Sequence, residues 1–333
     1  VASRPWTGLV VSALRRTPAG ARPGSAIGAL AAAVAGAAAG AVAARVAYAA
    51  FRRRPPIGDE KTWTRTNHRG EPITLLEGPA LVAGAGAAAA LAPGLPARLR
   101  AAALLAGLGG GALGAYDDVL GTTASKGFKG HLTALARGEV TSGAVKIIGI
   151  GATGLAAAAL ARDPAARPTG AAAGAMDTLL DGAVIAGSAN LANLFDLRPG
   201  RAIKVAFLAG TPLLAVSLAT RPTGVPARNT TAAVLTAIPL GAAAALLPED
   251  LGERAMLGDA GANALGALLG LAATVRLGRT GRLAVLGTVA ALTAASEKVS
   301  FTKVIAANPV LNRIDMLGRR PVPPPPAVVS PTP

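Results

Sequence analysis

Long stretches with almost no charge, separated by short charged clusters, constrain this chain of 333 residues more than anything else in it. Gly78 to Gly94, Val145 to Ala161 and Leu257 to Val275 are of this kind. At a rise of about 1.5 Å per residue, each is about long enough to cross a hydrocarbon core ~30 Å thick as a helix. Charged residues make up 15% of the chain, whereas soluble domains carry about 25%. Hydrophobic residues reach 52% and mean hydropathy is +0.48, with the apolar content dominated by small residues. No cysteine is present, which excludes a disulfide scaffold. The fold class expected is all-α, a polytopic integral membrane protein with nine or ten transmembrane helices.

Residues 1–23 read as an N-terminal tail with four arginines, followed by a membrane domain over 24–298. A cleavable signal peptide is set aside, because the small-residue run that follows is too long for one. Spans are expected near 26–50, 78–94, 98–116, 144–161, 175–195, 203–220, 229–247, 257–275 and 282–296. Residues 299–320 then form a cytoplasmic segment, and the Pro-rich stretch 321–333 is expected to be disordered. Of the 33 Lys and Arg, 18 fall on the face that holds the C-terminus and 13 on the other. The excess of basic residues places that face in the cytoplasm. The net charge of +16 therefore flanks membrane spans and does not call for a nucleic-acid partner.

Acidic residues are distributed far less evenly: 14 of the 17 lie on the proposed cytoplasmic face. Carboxylates contribute little to topology, so their gathering points to a metal or cation site. Asp117 and Asp118 end the third span, where the partial negative charge of a helix C-terminus disfavours them unless a cation offsets it. They read either as a solvated flank or as a Mg²⁺ site, since hard divalent ions take carboxylate oxygens. Lys126 and Lys129 follow as anion contacts or as ordinary flanking charge, with His131 close behind. Asn190, Asn193 and Asp196 recur every three residues, near one helix face, as helix-packing groups or as nucleotide contacts. Arg198 and Arg201 add guanidinium groups suited to phosphate. Asp259, in Gly258-Asp259-Ala260-Gly261, is either a plain N-cap or a carboxylate held on a closely packed helix start.

Together these segments resemble the polyprenyl-phosphate N-acetylhexosamine-1-phosphate transferase family, which includes phospho-N-acetylmuramoyl-pentapeptide transferase. The resemblance rests on Asp117-Asp118, on Asn190-Leu-Ala-Asn193-Leu-Phe-Asp196 and on Gly258-Asp259-Ala-Gly261, and extends over residues 50 to 297 by the span pattern. The chain departs from the family pattern in three places. Ser296 to Leu317 contains no His where the family has a His-rich loop, Leu197 and Pro199 replace a Gly and a second Asp, and Ala262 replaces a Ser.

The resemblance implies a Mg²⁺- or Mn²⁺-dependent phosphotransferase at the cytoplasmic face of the plasma membrane. A polyprenyl phosphate would attack a UDP-amino sugar to give polyprenyl-diphosphate-sugar and UMP, in cell-envelope glycan synthesis. By motif match, Asp117, Asp118 and Asp259 are the catalytic and metal-holding residues. Lys126, Lys129, Asn190, Asn193, Asp196, Arg198 and Arg201 are the substrate contacts. The rival expectation is an inactive paralogue that binds polyprenyl phosphate or an envelope-assembly partner. A secondary transporter is the third reading, disfavoured because the acids lie at one surface. The small-residue helix faces accommodate a homodimer as well as a monomer.

Overall fold

A computed structural model describes residues 26–121, 133, 137–138, 141–163, 170–219 and 226–321. Nine long helices among the described residues stand where the sequence places nine spans. They are α1 (Ala26–Arg53), α2 (Glu77–Leu91), α3 (Ala97–Leu120), α4 (Ser142–Ala161), α5 (Ala171–Phe195), α6 (Arg201–Leu218), α7 (Pro226–Leu251), α8 (Gly258–Arg276) and α9 (Arg279–Ser296). Two short helices follow, α10 (Phe301–Ala307) and α11 (Pro309–Met316). The strands β1 (Thr64–Thr66) and β2 (Pro72–Thr74) form one antiparallel hairpin, with Thr64 opposite Thr74. The tail 1–23, the end of the chain beyond Pro321, and Lys126, Lys129 and His131 lie outside the described residues.

The expected count of nine or ten membrane crossings is corrected. Five helices, α1, α3, α4, α6 and α7, are long and apolar enough to cross a membrane on their own. A sixth is counted only if α9 and α10, bent by 95° at their junction, form one broken span. The reasons are local. With 15 residues, α2 reaches about 22 Å. α5 carries Asp177 and Asp181, α8 opens on Asp259 and Asn263, and α9 carries Arg279 and Arg282. The all-α membrane class stands.

Alanine-rich sequence favours helix, and Pro and Gly set the breaks, as in Pro93-Gly94-Leu95-Pro96 between α2 and α3. Small residues then let backbones meet. A Cβ on Gly241 of α7 would fall 2.1 Å from the Ala37 carbonyl oxygen of α1, and one on Gly266 of α8 would fall 2.2 Å from the Ser188 carbonyl oxygen of α5. Close approach of this kind replaces the large apolar side chains of a soluble core. At the centre stands α8, with 15 of its 19 residues buried, packed by α2, α3, α5 and α7. α9 is outermost, with Val289 its one buried residue, and rests on α5.

The bundle has two polar ends. At one, Arg98 pairs with Asp163 at 3.2 Å and Arg282 with Asp181 at 2.6 Å. At the other, the hairpin is pinned by Trp63, 1% exposed, whose indole N–H donates to the Ile57 carbonyl at 2.8 Å. The Met256 N–H donates to the Thr74 carbonyl at 3.0 Å, which fastens the loop after α1 to the loop after α7. The candidate site lies at this second end.

Candidate functional site

The N-terminus of α8 is the point on which the acidic motifs converge. Its first N–H groups have no partner within the helix and concentrate partial positive charge. The Asp118 carboxylate, from the end of α3, accepts the N–H groups of Asp259 at 3.0 Å and Ala260 at 2.9 Å. Asp196, just past α5, lies close enough to this point to feel the Gly258 N–H and the charges of Asp118 and Asp259. Gly258 itself has φ +60°, a left-handed conformation that admits glycine without strain, and a Cβ there would meet an Asp118 oxygen at 2.9 Å. α3 can approach because of Gly114, where a Cβ would fall 2.2 Å from the Asp259 carbonyl oxygen. The structure therefore brings Asp117, Asp118, Asp196 and Asp259 to one place.

Asp118 acts there as the cap of α8 from a neighbouring helix. Its own carbonyl accepts a hydrogen bond from the Arg65 guanidinium, which offsets the negative end of α3. Asp117 and Asp259 share a different partner, the Lys146 ammonium of α4, at 2.8 Å from Asp117 and in direct contact with Asp259. Sequence reasoning missed Lys146 because it counted the residue as part of a span. The available signal was a lone lysine one turn inside an apolar helix, an expensive placement that needs a partner. The Asp117 and Asp259 side chains remain 20% and 24% exposed, so both can be reached from solvent.

Among the described residues no group of three His, Cys, Asp or Glu is arranged to hold a metal ion. Asp118 has given its oxygens to α8, which leaves Asp117 and Asp259 as hard oxygen donors with Lys146 between them. Mg²⁺ needs only one or two carboxylates when phosphate oxygens and water complete its shell. In donor chemistry, the pair fits an ion that arrives with a diphosphate.

Beside this cluster is an open cleft of about 220 Å³, lined by the hairpin residues Asn67 and His68, by Asp196 and Arg198, and by Asp250 and Glu253. Asp250 and Asp196 are 1% and 6% exposed, and one oxygen of each has no hydrogen-bond partner among the described residues. Burial pushes the Asp196 carboxyl well above its ordinary value, the nearby Asp250, Asp259 and Asp118 push it further, and the Gly258 N–H opposes them. Glu253 has φ +55° and accepts from Asn67 at 3.1 Å and Arg69 at 2.9 Å, forming one wall of the cleft. Asp250 also accepts the Gly200 N–H at 2.8 Å.

The other expected contacts divide. Asn190 and Asn193 sit half-buried in the last turns of α5, and neither lines the cleft. Arg201 is 4% exposed and is held by Asp315 of α11 at 2.7 and 3.0 Å, so it braces the C-terminal segment and stays out of the cleft. Lys126 and Lys129 fall outside the described residues. Comparison with known proteins adds nothing to this geometry: no family model matches the chain, and no curated protein matches it.

Proposed function

We propose that the chain transfers a sugar-1-phosphate from a UDP-amino sugar to polyprenyl phosphate at the cytoplasmic membrane surface, releasing UMP. The observation that carries the reading is the convergence of Asp117, Asp118, Asp196 and Asp259, distant in sequence, on the start of α8. The resemblance of the motifs supplies the reaction. The cleft has room for a nucleobase, and its lining includes the carboxyl-bearing Asp196 and Asp250 and the amide of Asn67. Arg198, in the cleft lining, would meet the charge of the attached phosphates.

Asp117 and Asp259 would hold Mg²⁺. Bound there with the diphosphate, the ion would draw charge off the leaving UMP. Asp118 keeps α8 in register with α3, so that the two metal-facing carboxylates hold a fixed separation. Lys146 neutralises them in the resting protein and would donate its N–H groups to a phosphate oxygen brought to the site.

The test is purified protein with Mg²⁺, undecaprenyl or decaprenyl phosphate and a panel of UDP-sugars, read by UMP release. Turnover with one donor is expected, and Asp117→Asn or Asp259→Asn should lower it at least ~100-fold while the protein still inserts. No release with any donor, where an established transferase of this type turns over, overturns the enzyme reading. One observation favours a second reading, a lipid-phosphate-binding protein without turnover: Lys146 already fills the space between the two carboxylates. Binding of polyprenyl phosphate with no UMP release in the same assay would establish it.

A further inference from the structure

At Ser296 the chain leaves α9 and turns by 95° into α10, so that the last helices run across the site end of the bundle. One side of this segment is firmly docked. Phe301 stacks on Phe195 with ring centroids 4.8 Å apart, Arg201 donates to Thr302 at 2.9 Å, and Asp315 takes both Arg201 and Arg319. The other side is apolar and uncovered. Val299, Val304, Val310, Leu311, Ile314 and Leu317 are 37–71% exposed. Within α11 and its C-terminal residue, 310, 314 and 317 follow the i, i+4, i+7 spacing of one helical stripe, opposite the docked face. The stripe is presented by a well-started helix, since Asn308 caps it by accepting the N–H groups of Val310 and Leu311 at 3.0 and 3.1 Å.

Among the described residues nothing covers that stripe, and an apolar stripe exposed to water is a contact site for something else. Its charge identifies the partner. Lys298, Lys303 and Arg313 are exposed along the same segment against one exposed acid, Glu297, while Asp315 is withdrawn into the docked face. An apolar stripe flanked by basic residues, on the segment that follows a sharp turn out of the bundle, is what lies in the headgroup layer of an anionic bilayer. We propose that α10 and α11 are a lipid-surface anchor: the stripe enters the interface, and Lys298, Lys303 and Arg313 recognise anionic headgroups. The anchor stands apart from the proposed chemistry and does not depend on it.

The chain has no cysteine, so a single introduced thiol can be labelled without background. The full chain carrying Val310→Cys or Ile314→Cys, labelled with a polarity-sensitive dye, is reconstituted in vesicles of phosphatidylcholine alone or mixed with phosphatidylglycerol. Lys61→Cys, exposed in the loop after α1, is the aqueous reference. In mixed vesicles, labels at 310 and 314 should emit at shorter wavelength, resist aqueous iodide and be quenched by lipid-borne spin labels, more than in phosphatidylcholine alone. Lys298→Glu, Lys303→Glu and Arg313→Glu together should abolish that lipid dependence, each lost positive charge weakening it about fivefold. Iodide quenching equal to that at position 61 in both lipids overturns the anchor. So does protection that rises with protein density and ignores the lipid quencher, which would mean a second copy covers the stripe. Protection identical in both lipids and unchanged by the three substitutions overturns headgroup recognition.

Discussion

Lys146 is the residue on which the site balances, because it is the cation placed between Asp117 and Asp259. Removing one partner of a partly buried cluster costs more than the cluster contributes, since the remaining charges lose their compensation. Lys146→Met should therefore destabilise the protein by about 2–3 kcal/mol, discounted from the fully buried case because the three side chains keep some exposure. Asp117→Asn in the same background removes one of the two facing charges. The double variant should melt above Lys146→Met alone, a coupling that independent sites do not show. Thermal unfolding of the four proteins in one detergent measures it, and strict additivity would mean that Lys146 does not compensate the two carboxylates. The carboxylates themselves were legible in the sequence, since acids are rare here and gather on one face. Their partners were not. Lys146 sits in a stretch that reads as a span, and which acid caps α8 depends on how closely α3 and α8 pack, which no local pattern encodes.

At the scale of elements, glycine decides how near two helices come. Gly78 in α2 and Gly114 in α3 both face α8, where an added Cβ would lie 2.2 Å from a backbone carbonyl oxygen, of Leu257 and of Asp259 respectively. Backbone cannot move aside as a side chain can, so Gly78→Ala or Gly114→Ala should cost about 1–3 kcal/mol or more and displace the start of α8. Gly86→Ala is the control. Its Cβ would meet only leucine side chains at 3.6 Å and beyond, and the gain in helix propensity should leave stability unchanged or raised by up to ~1 kcal/mol. Melting temperatures of the three variants test the contrast. The C-terminal segment is docked by charge, and its pH dependence follows. Hydrogen bonding from Arg320 holds the Glu71 carboxyl down to about 2. Burial pushes Asp315 up, but Arg201 and then Arg319 and Lys204 outweigh it and keep it below its ordinary value. Both carboxylates are lowered in the folded state, so their contribution is complete above about pH 4.5 and is lost as pH falls toward 2. Hydrogen exchange of residues 309–321, corrected for intrinsic rates, should accelerate across that window before the bundle does. Exchange that is flat over the window would show that charge does not hold the segment. The nine helices and their breaks were readable from apolar runs and from Pro and Gly. The docking of 299–320 was not, because it rests on pairs such as Arg201 with Asp315, over a hundred residues apart.

The whole molecule separates into two polar ends joined by helices, and the sequence distinguishes those ends by charge type as much as by amount. The site end collects Asp117, Asp118, Asp196, Asp250 and Asp259 without an arginine partner among the described residues, whereas at the far end Asp163 pairs with Arg98 and Asp181 with Arg282. Fewer helices than the sequence led us to expect are apolar enough to cross alone, and the packing explains part of the shortfall. α8 is enclosed by other helices and faces them over most of its surface, so its own residues need not be hydrophobic enough to face lipid. Orientation then rests on the basic residues, whose excess lies on the site end. Thiols introduced at Lys61, on the site end, and at Ala97, on the far end, are both exposed and have no cysteine background. In sealed cells a membrane-impermeant thiol reagent should modify Ala97→Cys and spare Lys61→Cys, and permeabilisation should reverse the protection of Lys61→Cys. Modification of both from outside would mean that the two ends are not separated by a bilayer. Modification of Lys61→Cys alone would turn the molecule over and place the acidic cluster away from any nucleotide-sugar, which removes the proposed reaction whatever the geometry of Asp117 and Asp259.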